Sequence, residues 1–351
     1  MNPSPRQRRS RREPGHPLVI AVSMGDPKGI GPDVALLSWR ERQRHALPSF
    51  AIYGDPDVLA ERARTLGLEV PIKLLASLTE AADAFADALP VWSIQSPAPG
   101  DEDRAIVAAI EAAVAAVSAG EALAIVTNPI VKRTLDRVEL PYPGHTEFLA
   151  ELALRHGTRP RPLPVMMLVA EELKVVPATV HIPLAAVPRA LTRQGLADTL
   201  RITAAALVGD FGIAKPRIAV AGLNPHAGEG GRIGREEIEV IKPTIDAVAA
   251  EGIVVTGPHS ADTLFHVEAR TAYDAVVAMY HDQALVPIKT LAFDRGVNVT
   301  LGLPFVRTSP DHGTAFALAG TGKARPGSFI AALHLADAIG RRRAAQRSLR
   351  T

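Results

Sequence analysis

Three histidines stand where chemistry is possible. The apolar runs 175–180, 219–223 and 275–280 lead, respectively, into His181, into Asn224-Pro225-His226 and into His281-Asp282. Each run reads as a buried strand that breaks at a polar turn. In open α/β sheets, ligands collect outside the carboxyl ends of strands. Three imidazoles converging there would bind a divalent cation, and in a chain without cysteine such a site suits Zn²⁺, Mn²⁺, Co²⁺ or Ni²⁺. The ligands must be neutral and oriented by neighbouring oxygens. Asp282, Glu229 and Asn224 are near enough in sequence to serve. A single histidine at a strand end is more often a satisfied core or surface residue, but three in equivalent positions favour a site. His16, His45, His156, His259, His266 and His334 lack that context.

A second constellation would hold an anion. Pro141-Tyr142-Pro143-Gly144 leads stiffly into a helix whose first turn carries His145, Thr146 and Glu147. Free N–H groups at a helix start, with an imidazole and a hydroxyl, make a seat for phosphate. Thr146 could equally be a plain helix cap. Lys289, just beyond His281, is a candidate anion contact, and Asn298 lies in the β-like stretch 296–302. The loop Gly25-Asp26-Pro27-Lys28-Gly29-Ile30-Gly31-Pro32 could approach a ligand closely or serve only as a strand-to-helix turn. Its spacing matches neither a Walker A loop nor the dinucleotide fingerprint.

These side chains need a scaffold of matching grammar. Besides the three histidine-bearing runs, strands are predicted at 18–23, 50–53, 70–75, 89–92, 122–127, 165–169 and 296–302. Helical patterns fill most of the intervals. Such alternation argues for a largely parallel sheet with helices on both faces. Residues 257–263 and 307–314 read as polar loops, and the last helix is expected to fray into an arginine tail. The 351 residues suit two compact α/β lobes, and at 47% hydrophobic with 4% aromatic content the cores must be built from Ala, Val, Leu and Ile.

Charge is unevenly spread. Ten of the 39 basic residues lie in the two tails, and without them and Glu13 the body has 29 basic against 36 acidic residues. An acidic body is a poor nucleic-acid binder, and the tails read as solvated ends. No apolar stretch is long enough to span a membrane, and the short run 18–22 is no signal core. The expected location is the cytoplasm.

The motifs at 25–32, 143–147, 224–229 and 280–283, with Gly-Leu-Pro-Phe-Val-Arg-Thr-Ser-Pro-Asp-His-Gly-Thr at 302–314, together resemble the 4-hydroxythreonine-4-phosphate dehydrogenases of vitamin B6 biosynthesis. The resemblance runs from about residue 17 to 336. It implies NAD- or NADP-dependent oxidation of the substrate's 3-hydroxyl, followed by loss of CO₂ to give 3-amino-2-oxopropyl phosphate. It further implies that His181, His226 and His281 hold one divalent ion (zinc, magnesium, cobalt or manganese), with Asp282 beside them as a candidate proton acceptor. His145, Thr146, Lys289, Asn298 and Arg307 become substrate contacts for a small phosphorylated hydroxy amino acid. The segment 311–326 is similar to the cofactor loop of isopropylmalate and isocitrate dehydrogenases, which makes Asp311, His312, Gly313, Thr314 and Gly320 the cofactor residues.

The implied fold is the two-lobed α/β/α dehydrogenase of that type, with the site in the interlobe cleft. The implied limits are a basic tail at 1–16, a discontinuous first lobe at 17–145 and 300–340 for the cofactor, a second lobe at 146–299 for the metal and the dimer contact, and a basic tail at 341–351. The resemblance also implies a homodimer whose subunits share each site. Lys28 departs from the family, which commonly has alanine there. That leaves open a sister activity on threonate or erythronate phosphates or on dihydrodiols. A three-histidine hydrolase and a non-catalytic phosphometabolite binder are the readings from other classes.

Overall fold

A computed structural model describes residues 19–349 except 97, 99, 100, 132, 133, 135, 137, 139–141 and 143. The 1–16 tail, Pro141 and Pro143 of the helix approach and the last two residues lie outside the described residues. The strands are β1 Val19–Ser23, β2 Phe50–Gly54, β3 Ile72–Leu74, β4 Leu89–Ser93, β5 Ala122–Thr127, β6 Val165–Val169, β7 Lys174–Pro177, β8 Arg217–Ala221, β9 Val254–His259, β10 Ala275–Ala278, β11 Val297–Leu301 and β12 Arg307–Pro310. All belong to one sheet, in the order β3-β4-β2-β1-β5-β12-β11-β6-β7-β10-β8-β9.

The sheet is parallel in both flanks, as the alternation of strands and helices predicts. It is antiparallel at its centre, where β11 runs against both β12 and β6, and β6 against β7. The Glu171-Glu172 turn joins that last pair, as expected from the sequence. Strands buried on both faces sort their side chains by the two-residue period. Ile20 and Val22 join Phe50 and Ile52 in one core, whereas Val19 and Ala21 join Ala51 and Tyr53 in the opposite one.

Helices complete three layers. The helices labelled here are α1 Gly31–Arg40, α2 Pro56–Thr65, α3 Glu102–Ser118, α4 His145–Arg155, α5 Arg193–Gly209, α6 Lys242–Ala250, α7 His281–Ala292 and α8 Gly327–Ser348. On one face α3 and α4 share a core through Ile110, Val114, Phe148 and Leu149. On the other, α1, α5, α6 and α8 contribute Leu36, Leu200, Ile245 and Phe329.

Three segments differ from expectation. Residues 257–259 and 307–310, read as loops, close β9 and form β12. β12 shows no apolar alternation because it lies mid-sheet with Arg307 and Ser309 on the cleft side, while Thr308 donates from Oγ1 to the Ala332 oxygen of α8 on the other. The last helix does not fray at 341 but runs to Ser348. Gly340 there packs so closely on Leu123 that an added Cβ would lie 2.5 Å from its Cγ. Arg343 donates from Nε and Nη2 to the Asp210 carboxylate at 2.6 and 2.8 Å, so part of the supposed tail is a clamp onto α5. Among the described residues, no helix is long and apolar enough to cross a membrane.

Candidate active site

The antiparallel centre of the sheet floors a cleft of about 800 Å³, walled by the end of β5, the start of α4, the loop after β7 and the exposed side of α7. His145, Thr146, His181, His281, Lys289, Asn298, Arg307, Asp311, His312 and Gly313 all line it.

At its base Arg307 is 5% exposed. It donates from Nε and Nη2 to Thr127 Oγ1 at 3.1 and 2.7 Å, and from Nη1 to Thr300 Oγ1 at 2.9 Å. Hydroxyls orient the guanidinium without neutralising it. Burial pushes its pKa down to about 10, yet it remains a cation at any working pH. Beside it the His145 pKa is pushed down to about 3, first by burial and then by the Arg307 charge. The ring is therefore neutral, and its enclosed Nε2 has no partner among the described residues; the same holds for Asn298 Oδ1. A buried cation beside the unpaired His145 Nε2 forms a seat that an anion would complete, whereas Asn298 Oδ1 awaits a donor. The Gly144 N-cap makes no side-chain bond, and Thr146 does not cap the helix.

Lys289 is less free than its sequence position suggests, because Nζ is held by Asp311, at 2.7 Å from both Oδ2 and the backbone oxygen. His312 accompanies them, its pKa lowered chiefly by burial. Its Nδ1 lies 3.0 Å from the Gly313 oxygen, and its buried Nε2 has no partner among the described residues. Thr314 and Gly320 sit behind the cleft. Thr314 accepts from Ile30 N at 2.9 Å, and Gly320 N donates to Asp33 Oδ1 at 2.7 Å. The glycines of the first loop serve this packing. A Cβ on Gly25 would meet Asn128 and Pro129 at 2.8 Å, and one on Gly29 would meet the Thr314 oxygen at 2.9 Å. Lys28 points to solvent, 3.8 Å from the exposed Glu102.

Of the three predicted imidazoles, one chain brings two together. The rings of His181 and His281 have centroids 5.5 Å apart. His281 Nδ1 is 2.7 Å from Asp282 Oδ1. With the carboxylate accepting that N–H, Nε2 keeps its lone pair, as a metal ligand must. The pair therefore fits a divalent ion as an incomplete set. His226 does not line the cleft. It opens a run of left-handed residues from His226 to Gly230 and lies near Asp262, whose pKa is lowered first by the Ser260 hydroxyl and also by His226. Among the described residues of one chain, no three potential ligands cluster. Asn224 is spoken for: it donates to Glu236 and Glu237 at 2.7 and 2.9 Å.

Sequence reasoning missed the supports. Thr127 and Thr300 cradle Arg307 and look like ordinary strand threonines. Gln283 ties two strand ends, accepting from Met279 N at 2.7 Å and donating to the Gly222 oxygen at 2.8 Å. Its place after His281-Asp282 was the one available signal.

The fold is a mixed α/β sheet covered by helices, and its cleft sets a buried cation beside paired imidazoles. The chain belongs to the family described as pyridoxal phosphate biosynthetic protein PdxA, whose model matches residues 46–336. It is 52% identical over 327 residues to the 4-hydroxythreonine-4-phosphate dehydrogenase of Xanthobacter autotrophicus, covering 91% of this chain and 93% of the relative. The enzyme of the same name from Methylorubrum populi is 53% identical over 332 residues, covering 92% and 95%. Among solved structures, the Klebsiella pneumoniae 4-hydroxythreonine-4-phosphate dehydrogenase superposes with a TM-score of 0.80 at 35% identity, over 92% of this chain and all of that one. A terephthalate 1,2-cis-dihydrodiol dehydrogenase from Burkholderia xenovorans is more distant, at 27% identity and TM-score 0.59 over 92% and 98%.

Proposed function

We propose that this protein is a 4-hydroxythreonine-4-phosphate dehydrogenase. It oxidises the 3-hydroxyl of 4-phosphooxy-L-threonine with NAD or NADP, and the resulting β-keto acid loses CO₂ to give 3-amino-2-oxopropyl phosphate on the way to pyridoxal 5′-phosphate. The observation that carries the reading is the convergence in one cleft of an anion seat, two imidazoles and the 311–313 segment. The near-half identity to enzymes of that name supports it.

The substrate is dianionic at one end and carries a carboxylate at the other. Arg307 supplies fixed positive charge, His145 Nε2 can donate to an anion oxygen, Asn298 Oδ1 can accept from the substrate's hydroxyl or ammonium group, and Thr146 adds a hydroxyl. Because His145 is neutral, it can donate one N–H without contributing charge. Lys289 reaches the same cleft and can exchange Asp311 for a substrate oxygen. His181 and His281 would hold a divalent ion, with His226 of a second copy completing the set in a homodimer. Residues 311–320 would hold the nicotinamide; when bound, the ion would supply Lewis-acid polarisation of the hydroxyl and the nicotinamide a hydride acceptor. Asp282, 2.7 Å from His281 Nδ1, orients that ring and is the candidate acceptor of the hydroxyl proton.

The test is to follow nicotinamide reduction with 4-phosphooxy-L-threonine, with and without a chelator. Chelator-sensitive reduction is expected. Turnover of a threonate phosphate alone would move the protein to a sister branch. Substrate hydrolysis without reduction would make it a hydrolase.

A further inference from the structure

Behind the cleft, a charged group of the first half holds the segment proposed to seat the dinucleotide. Asp33, on the first turn of α1, is fully buried. Its Oδ2 pairs with Arg62 of α2, and its Oδ1 accepts from Gly320 N at 2.7 Å. Arg62 is 13% exposed. It also donates to the backbone oxygens of Gly29 and Pro27, at 2.9 and 3.0 Å. One ion pair thus ties the glycine loop, α2 and the 311–322 segment together. The segment is pinned a second time where Ile30 N donates to the Thr314 oxygen at 2.9 Å.

Between the two pins the chain turns through left-handed Ala315 (φ 44°) and the short helix Phe316–Leu318. Phe316 and Leu318 remain exposed, at 45% and 40%. A segment fastened at both ends, turned through a conformation unfavourable for alanine and showing two apolar side chains to solvent, is held in shape for something. Residues 311–313 of the same segment line the cleft.

We infer that Asp33, fixed by Arg62, is a positioning residue for the dinucleotide: it pre-forms the 314–320 turn on which the cofactor sits, without touching substrate. This rests on the proposed cofactor role of that segment. Freed from Gly320 and Arg62, the segment would sample other conformations. If the competent one falls to about a tenth of the population, apparent dinucleotide affinity drops about tenfold, because Kd scales inversely with the competent fraction.

The experiment measures NADH binding by fluorescence titration for the wild type, Asp33→Asn and Asp33→Ala, with kcat and both KM values. Asparagine keeps an oxygen for Gly320 N–H but loses the charge held by Arg62; alanine loses both. The expected result is a graded weakening of NADH binding, about tenfold for alanine and less for asparagine. The KM for the phosphorylated substrate should stay within about twofold, and amide exchange should quicken at 314–322 but not in β6 or β11. Should the alanine variant fail to fold, asparagine and Arg62→Met supply the reading. Unchanged NADH affinity in the folded variants, or equal weakening of substrate and dinucleotide, overturns the inference. Absence of NADH binding by the wild type overturns the cofactor reading itself.

Discussion

Replacing Arg307 with methionine separates what the guanidinium does for the fold from what it does for an anion. Burial holds its pKa well below the ordinary guanidinium value, at about 10. At neutral pH the group is charged in both folded and unfolded chains. The depressed folded value therefore means that the charge opposes folding, by roughly 3 kcal/mol. The unfolded chain binds the proton more tightly, so this penalty is complete below about 10 and is relieved only as pH climbs above that towards the ordinary guanidinium value. Against it stand the three hydrogen bonds to Thr127 and Thr300, each contributing about 1 kcal/mol. Methionine removes both terms, so the empty variant should unfold within about 1 kcal/mol of the wild type. Anion binding should fare differently, because truncating one member of a buried charge pair costs about 2–5 kcal/mol, a KM increase of about 30-fold or more. Urea unfolding with and without inorganic phosphate measures both. Phosphate should stabilise the wild type and leave the variant unmoved. A variant that loses several kcal/mol without phosphate yet keeps its KM would refute the reasoning and make Arg307 a structural cation.

Three further outcomes are expected. His145 has a folded pKa of about 3 against 6.5 ordinarily, so the unfolded chain takes up the proton first as pH falls. Its stability contribution is intact above about 6.5 and should decline by about 2 kcal/mol between pH 7 and 5. Denaturant titration of His145→Asn should show that slope flattened. Asp282→Asn should weaken divalent-metal affinity about 10–100-fold in calorimetry, by loosening the His281 ring, while leaving the thermal midpoint nearly unchanged. If His226 completes a neighbour's site, mixing inactive His226→Ala and His181→Ala subunits should restore about a quarter of wild-type activity, since half the dimers are mixed and one of their two sites is whole. No recovery after verified subunit exchange sinks the shared site.

Much of the frame was legible. Short continuous apolar runs located most of the strands that are buried on both faces, and β5 fell where it was expected. The abrupt ends at His181 and His281 were visible because an apolar run broken by a polar turn is a local signal. Gly25 and Gly29 were marked as close-approach residues, but what they approach, Asn128 and Thr314, is a hundred or more positions away. β12 was unreadable because Arg307, Thr308 and Ser309 obey the cleft on one side and the sheet on the other, so no alternation survives. The terminal helix was misjudged because its arginines look solvated until Asp210, 133 residues earlier, supplies the partner.

Sequence alone determined which segments bury themselves, which ends turn polar and which residue types could hold an anion or a metal, since period, propensity and turn chemistry act between near neighbours. The tertiary structure alone decided that Arg307 rests on hydroxyls instead of carboxylates, that Lys289 is already held by Asp311, and that His226 stands apart from the other two imidazoles within one chain. Those outcomes depend on which distant groups share a desolvated space, as with Arg307 and Thr127, 180 residues apart. The free energy of a buried charge is set by that company and by nothing adjacent in the chain.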